Sequence, residues 1–318
     1  MATATLSMSL EDAIVATLPK YDKTLADNVF LNNALVKGVK KYDGVIRMKG
    51  GNEKVINLEY AMGNEVWFSR GETISDDTPD TMGRISVPLK NLAVPVKILW
   101  EDEQANKGDE TKIIDYVEAK IKNVESTGSD RLEYRSWQAG NAANVVTGIP
   151  DLIGTGSIFG LDGATYDWWQ SQVQTTIGDF DTNGLDKMGA VHTAMLSKGK
   201  GDGAKIADVC MGDADFYEAF LQKADERHYL TKEDAALGPY KGPGFRGTPV
   251  MLAPYAPAGE FVMLNFKFLK LIYAIDFELT KFKDVPKTVG DRVAYSVFRG
   301  AWAPSNRRVQ GKGTGMTY

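Results

Sequence analysis

Between Gly83 and Gly140 the sequence joins a long extended arm to a long amphipathic helix, and this pairing constrains the fold more than any other stretch. Apolar residues alternate at Ile85, Val87 and Leu89, then at Leu92, Val94, Val96, Ile98 and Trp100. Period-two alternation marks a half-buried strand, because successive side chains point to opposite faces. The phase slips between Leu89 and Leu92, which predicts one extra residue in a bulge. Pro88 and Pro95 each remove a ladder donor, so the run reads as an edge strand or a two-stranded arm. Such an arm cannot cover its own apolar surface, and another subunit is expected to cover part of it.

After the acidic patch Glu101, Asp102 and Glu103, the spacing predicts a helix from about Thr111 to Gln138. Ile113, Val117, Ile121, Val124, Gly128, Leu132 and Arg135 recur at steps of three and four, giving one stripe about 40 Å long at about 1.5 Å per residue. Gly128 lies on the stripe, where it costs about 1 kcal/mol relative to Ala. Close approach of a crossing element, or a kink, would explain it.

Upstream, Ser9 with Asp12, then Leu10, Ile14 and Leu18, predict a short helix stopped by Pro19. A second helix is expected from Lys23 to Lys37, with Gly38 as its exit; so short a pair needs a neighbouring surface to be stable. Extended runs follow at Val45–Met48 and Val55–Glu59, and Gly50-Gly51 between them favours a reversal. Met62–Met82 reads as an exposed tip carrying Glu65, Glu72, Asp76, Asp77 and Asp80. Trp67 and Phe68 sit at its base. They are either interface anchors or folded back under their own loop.

Composition narrows the function classes. At 318 residues the chain allows one or two domains, and a hydrophobic share of 43% with 25% charged residues fits a folded protein. A single cysteine, Cys210, excludes an internal disulfide framework and reads as a small buried hydrophobe. Neither a signal peptide nor a membrane span is visible, so synthesis in a cytoplasm is expected. The net charge of −5 does not suit a dedicated nucleic-acid binder, though it allows a protein that encloses nucleic acid.

From Asn141 onward, helices and strands alternate: helices at Gly184–Leu196 and after Asp213 and Asp215, and strands at Ile206–Met211, Thr248–Leu252, Glu260–Leu264, Leu269–Phe282 and Arg292–Trp302. This predicts an α+β body with a mainly antiparallel sheet. Catalytic chemistry is missing from the pattern. His192 shares a helical face with Leu185, Met188 and Met195 and reads as a core histidine; His228 has no metal-spaced partner. Gly199–Gly203 lacks the order of a phosphate loop, and Gly154–Gly160 is off the dinucleotide spacing. No catalytic, cofactor-binding or metal-binding residue is expected.

A helical arm, a long two-stranded loop, a long spine helix and an α+β body, in that order, resemble the major capsid protein of tailed bacteriophages with its Hong Kong 97-like fold. The resemblance covers nearly the whole chain and is carried most by Glu101–Gly108, by Gly160–Gln170 ending in Tyr166-Asp167-Trp168-Trp169-Gln170, and by Ser305–Gly311. It implies an N-terminal arm over 1–43, an extended loop over 44–104, a peripheral domain from 105–140 and 270–302, and an axial domain from 141–269 and 303–318. It also implies self-assembly into hexamers and pentamers of an icosahedral shell around double-stranded DNA, with a portal and a decoration protein as partners, and no membrane. No long charged helical region precedes the arm, so a separate scaffolding protein is expected.

Val45–Trp100 is then expected to lie across an adjacent subunit. Inter-subunit contact candidates are Trp67, Phe68, Arg70, Glu72, Asp76, Asp77, Asp80, Arg84, Arg307 and Arg308; Arg307, Arg308 and Lys312 are chosen by charge to meet the acidic tip. Ile113, Val117, Ile121, Val124, Gly128 and Leu132 are expected to pack the spine helix. The alternatives are an encapsulin-like cellular nanocompartment of the same fold, a decoration or tail-tube protein, and a soluble oligomeric enzyme with an elongated dimerisation arm.

Overall fold

The computed structural model describes residues 34–73, 79–105, 110–140, 143–198, 206–227, 244–286 and 290–318. The expected helices around Leu10 and from Lys23 lie outside them, except for the end of the second. Helix α1, Ala34–Lys41, does not stop at Gly38. Gly38 is a buried interior position facing Phe266 and Met211, and the chain leaves the helix through Asp43, whose φ is 52°. Leu35, Val36 and Val39 on its apolar face are fully buried.

Two sheets build the body. The first contains β1 (Val45–Arg47), β4 (Lys90–Ile98), β11 (Leu269–Leu279), β12 (Lys283–Asp284) and β13 (Arg292–Pro304). β11 and β13 run antiparallel along most of their length, β4 pairs antiparallel with β13, and β1 joins β11 in parallel. The long helix α3, Glu110–Ser136, packs on β4 and β13, after the short helix α2, Trp100–Ala105. The second sheet has the order β5 (Gln172–Gln174), β14 (Gly311–Gly313), β10 (Phe261–Leu264), β7 (Val209–Gly212), β9 (Thr248–Leu252), β8 (Gly244–Phe245). It is mixed, since β5–β14 and β7–β9 are parallel. Helices α5 (Phe180–Lys198) and α6 (Ala214–Arg227) pack with it over a core including Phe180, Met188, Phe216, Phe220 and Phe261. Asp213 caps α6, its Oδ1 accepting the Phe216 N–H at 3.1 Å.

The sequence slip at Leu89 is a change of partner rather than a bulge. β3 (Met82–Pro88) pairs with β2 (Glu53–Glu59) in a separate two-stranded ribbon, and the chain then crosses to the body sheet as β4. Pro88 ends β3, and Pro95 sits on β4, an edge strand of its sheet, where a missing donor costs least. Gly50-Gly51 does not close a hairpin, because β1 pairs with β11 and not with β2. The outstretched element is therefore Glu53–Pro88, narrower than the expected 44–104. Its inner residues Leu58, Ile85 and Val87 are buried in the chain's own core, which corrects the expectation that Val45–Trp100 as a whole lies across a neighbour.

On α3, Val117, Ile121, Val124, Gly128 and Leu132 are buried, and Ile113 lies in the first half of the helix. A Cβ at Gly128 would overlap the ring of Phe277, so close approach explains that glycine. Arg135 is exposed, and the buried track passes instead through Ser136 and Trp137. The track also carries acids. Glu133 is buried, and its Oε1 accepts the Leu35 N–H and the Trp137 Nε1–H, each at 3.1 Å, tying α3 to the start of α1. Burial pushes its carboxyl above the usual range.

Candidate inter-subunit surface

The β2–β3 ladder ends where the Tyr60 N–H donates to the Thr81 carbonyl at 3.0 Å. Beyond it the described part of the tip has no regular structure except a tight local turn, in which Glu72 Oε2 accepts the Ser69 N–H at 2.6 Å. Met62 is 85% exposed, Trp67 88% and Phe68 64%. The two aromatics are thus not folded back under their own loop. Arg70, Glu72, Asp80 and Arg84 are exposed as well. Asp76 and Asp77 lie outside the described residues.

The basic candidates separate. Arg307 is fully buried and cannot meet an incoming acid. Its guanidinium donates to the carbonyls of Leu152 (2.9 Å), Gly154 (2.8 Å) and Gly156 (3.1 Å), and it lies over the Trp169 ring at 5.5 Å. Burial lowers its pKa to about 10. It is an internal clamp for the glycine-rich 148–156 segment, whose carbonyls lie outside any sheet and need donors. Lys312 is engaged within its own sheet, 3.0 Å from Glu260. Arg308 remains partly exposed, 3.8 Å from Asp167.

Arg308 borders a cavity of about 360 Å³ between the root of the tip and the body, with Tyr60, Met62, Trp168, Trp169 and Lys198 among its walls. Tyr60 stacks on Trp168 at 5.2 Å, and Trp168 meets Trp169 edge-on at 5.8 Å. The sequence quotes the tryptophan pair but gives no sign that Tyr60, more than a hundred residues earlier, completes the cluster. Lys198 was likewise not singled out, as one lysine at a helix end carries no signal.

The remaining titratable groups behave as core or surface. His192 is buried beside Phe245, and burial, then the nearby Arg246 charge, lower its pKa. Cys210 is buried and its thiol pushed far up. Among the described residues no three or more His, Cys, Asp or Glu gather as metal ligands, and no helix is long and apolar enough to cross a membrane. His228 and Gly199–Gly203 lie outside the described residues.

No protein-family model matches the sequence, and no curated protein matches it. Solved structures do. The chain is similar to a subunit of the cyanophage A-1(L) capsid asymmetric unit, at 14% identity and a TM-score of 0.68, over 100% of this chain and 96% of that one. It is similar to a chain of the capsid of the native GTA particle at 14% identity and TM-score 0.62, over 88% and 90%. It is also similar to the holo-SrpI encapsulin complex of Synechococcus elongatus at 11% identity and TM-score 0.55, over 88% and 90%. Spine helix, hairpin and two-sheet α+β body are thus those of the Hong Kong 97-like fold found in capsid shells.

Proposed function

We propose that this chain is the major capsid protein of a tailed bacteriophage, assembling into hexamers and pentamers of an icosahedral shell around double-stranded DNA. The observation that carries the reading is the tip of the β2–β3 hairpin, on a fold shared over its full length with a phage capsid subunit. Its large apolar side chains have no cover from the described residues of their own chain, although the ladder of the same hairpin does. A tip that needs a cover found elsewhere on an identical copy makes heterologous contacts, which close into rings and then shells. Single contacts of about 1 mM strength, worth about 4 kcal/mol, suffice when several act together, and they leave each step reversible.

In this reading residues 1–43 form an arm, 105–140 with 270–302 the peripheral part, and 141–269 with 303–318 the axial part. A separate scaffolding protein, a portal and a decoration protein are the partners. The net charge of −5 favours a container filled by other means over one that gathers its genome by charge. Its place is the virion, after synthesis in the host cytoplasm, and it has a structural role rather than an enzymatic one.

A second reading, a cellular nanocompartment shell, is favoured by the likeness to the encapsulin complex. Size-exclusion chromatography with negative-stain imaging of the expressed chain tests assembly. Closed particles or discrete hexamers and pentamers are expected, and a stable monomer would overturn both readings. Cargo separates the two, since a DNA genome with a portal marks the virion and an enclosed enzyme marks the compartment.

A further inference from the structure

The cavity between the root of the tip and the body has the chemistry of a receptor for the tip of another copy. Its walls are aromatic, with Trp168 in ring contact with both Tyr60 and Trp169, and such surfaces favour another aromatic ring in stacked or edge-on contact. Trp169 is almost wholly buried, yet among the described residues its Nε1–H has no acceptor, and the buried Nε–H of Arg308 has none either. Buried donors are nearly always satisfied, so each takes an acceptor beyond the described residues, an ordered water or a group that enters the cavity. Among the described lining residues the cations Lys198 and Arg308, the latter 3.8 Å from Asp167, face one acid, Glu59. The tip has the opposite character, with Glu65 and Glu72 flanking Trp67 and Phe68 against one cation, Arg70.

We propose that this cavity receives Trp67 of a second copy of the chain, with Glu65 of the incoming tip set against Arg308 and Lys198. The inference rests on the assembly reading above and adds to it the receptor side of the contact. The knob lies on the tip and the body wall of the hole runs from Trp168 to Arg308, so the contact is head-to-tail and each subunit gives one tip and accepts one. Trp67 and the Trp–Arg lining are the residue types that dominate interface energetics, and such residues tend to meet one another across an interface. Trp67 in its own subunit points into open space, which leaves the cavity to another copy.

Glu65 and Lys198 are both exposed, so reversing either charge leaves the subunit core untouched. Glu65→Lys and Lys198→Glu are each expected to raise the subunit concentration needed for assembly about tenfold, because like charges then meet at every copy of the contact. The double variant Glu65→Lys/Lys198→Glu is expected to return to within about threefold of the natural protein. As a second measurement on unaltered particles, a carbodiimide condenses a carboxylate with an amine, with loss of water. It is expected to join Glu65 to Lys198, with mixed isotopes in particles assembled from light and heavy subunits. If the natural chain assembles but the single variants behave normally, the double variant stays impaired, or Glu65 is joined only to other lysines, the receptor assignment falls and the assembly reading stands. A natural chain that never assembles removes both.

Discussion

The second sheet and the tip of the β2–β3 hairpin are made by the same chain to opposite specifications. Strands β7 and β10 are buried at every position, with α5 and α6 packed on their sheet, and the phenylalanines 180, 216, 220 and 261 meet in one core. The tip places two adjacent aromatics in solvent with no strand pairing around them. The body settles its hydrophobic burial within the monomer, while the tip defers it. A chain divided in this way folds as a subunit and still has free energy left to release on meeting its own kind.

The largest effect that tests this division is all-or-none. Deleting Gly63–Thr81 should leave a soluble subunit with a thermal midpoint close to the natural one, because Leu58, Ile85 and Val87 still anchor the shortened hairpin to the body. No closed shells should appear in negative-stain images. Normal shells would break the comparison outright, and an unfolded product would show that the tip serves the body after all.

Next in size is a body tryptophan. Trp302 is fully buried and its Nε1–H donates to Ser136 Oγ at 2.8 Å, joining β13 to the end of α3. Trp302→Ala removes that bond and a large core side chain, which typically costs 3–5 kcal/mol, about half the stability of many domains. Chemical denaturation of the dissociated subunit should show the loss directly.

Sequence reading found the elements far better than their partners. The spine helix, the two-stranded arm and the strands near Thr248, Phe261, Leu269 and Arg292 are all written in local periodicity, which depends only on a few neighbours. The slip at Leu89 was equally visible, but alternation cannot say which strand lies alongside. A switch from β2 to β13 therefore looks the same as a bulge. Arg307 and Arg308 are adjacent and identical in type, and only the fold decides that one turns inward to clamp carbonyls 152–156 while the other borders a cavity. The buried acid Glu133 was missed for a related reason. Its partners are Trp137, one turn away, and a backbone N–H almost a hundred residues distant.

The body is not free of unmet groups, and pH sharpens the contrast there. Asp276 lies on β11, where the register shifts, and its Oδ1 has no hydrogen-bond partner among the described residues. Burial raises its pKa from 3.8 to about 6, against the opposing effect of Arg47 and Lys40 and with a smaller upward push from Glu278. The folded state therefore binds this proton more tightly than the unfolded state. Its contribution to stability is complete below about pH 4 and is lost as pH rises through 6. Asp276→Asn should flatten that part of the stability profile and make the subunit on the order of 2 kcal/mol more stable at pH 7. A slope unchanged in the variant would place the titration elsewhere. Smaller still is Gly128→Ala: better helix propensity of about 1 kcal/mol is set against overlap with Phe277, for a net loss of about 1 kcal/mol.

The smallest expected effect on folding is the most telling. Trp67→Ala removes the same side chain as Trp302→Ala, but from a position 88% exposed. With no core contacts to lose, the dissociated subunit should unfold within about 0.5 kcal/mol of the natural chain. The truncation should be felt only when copies meet, where loss of a buried aromatic anchor typically costs 2 kcal/mol or more at a contact, about thirtyfold in its strength. One substitution thus separates the two halves of the comparison within a single preparation, through denaturation of the subunit and light scattering of its assembly. A clear loss in the first measurement would mean that the tip folds onto its own body in solution. A normal result in both would mean that Trp67 is not the anchor.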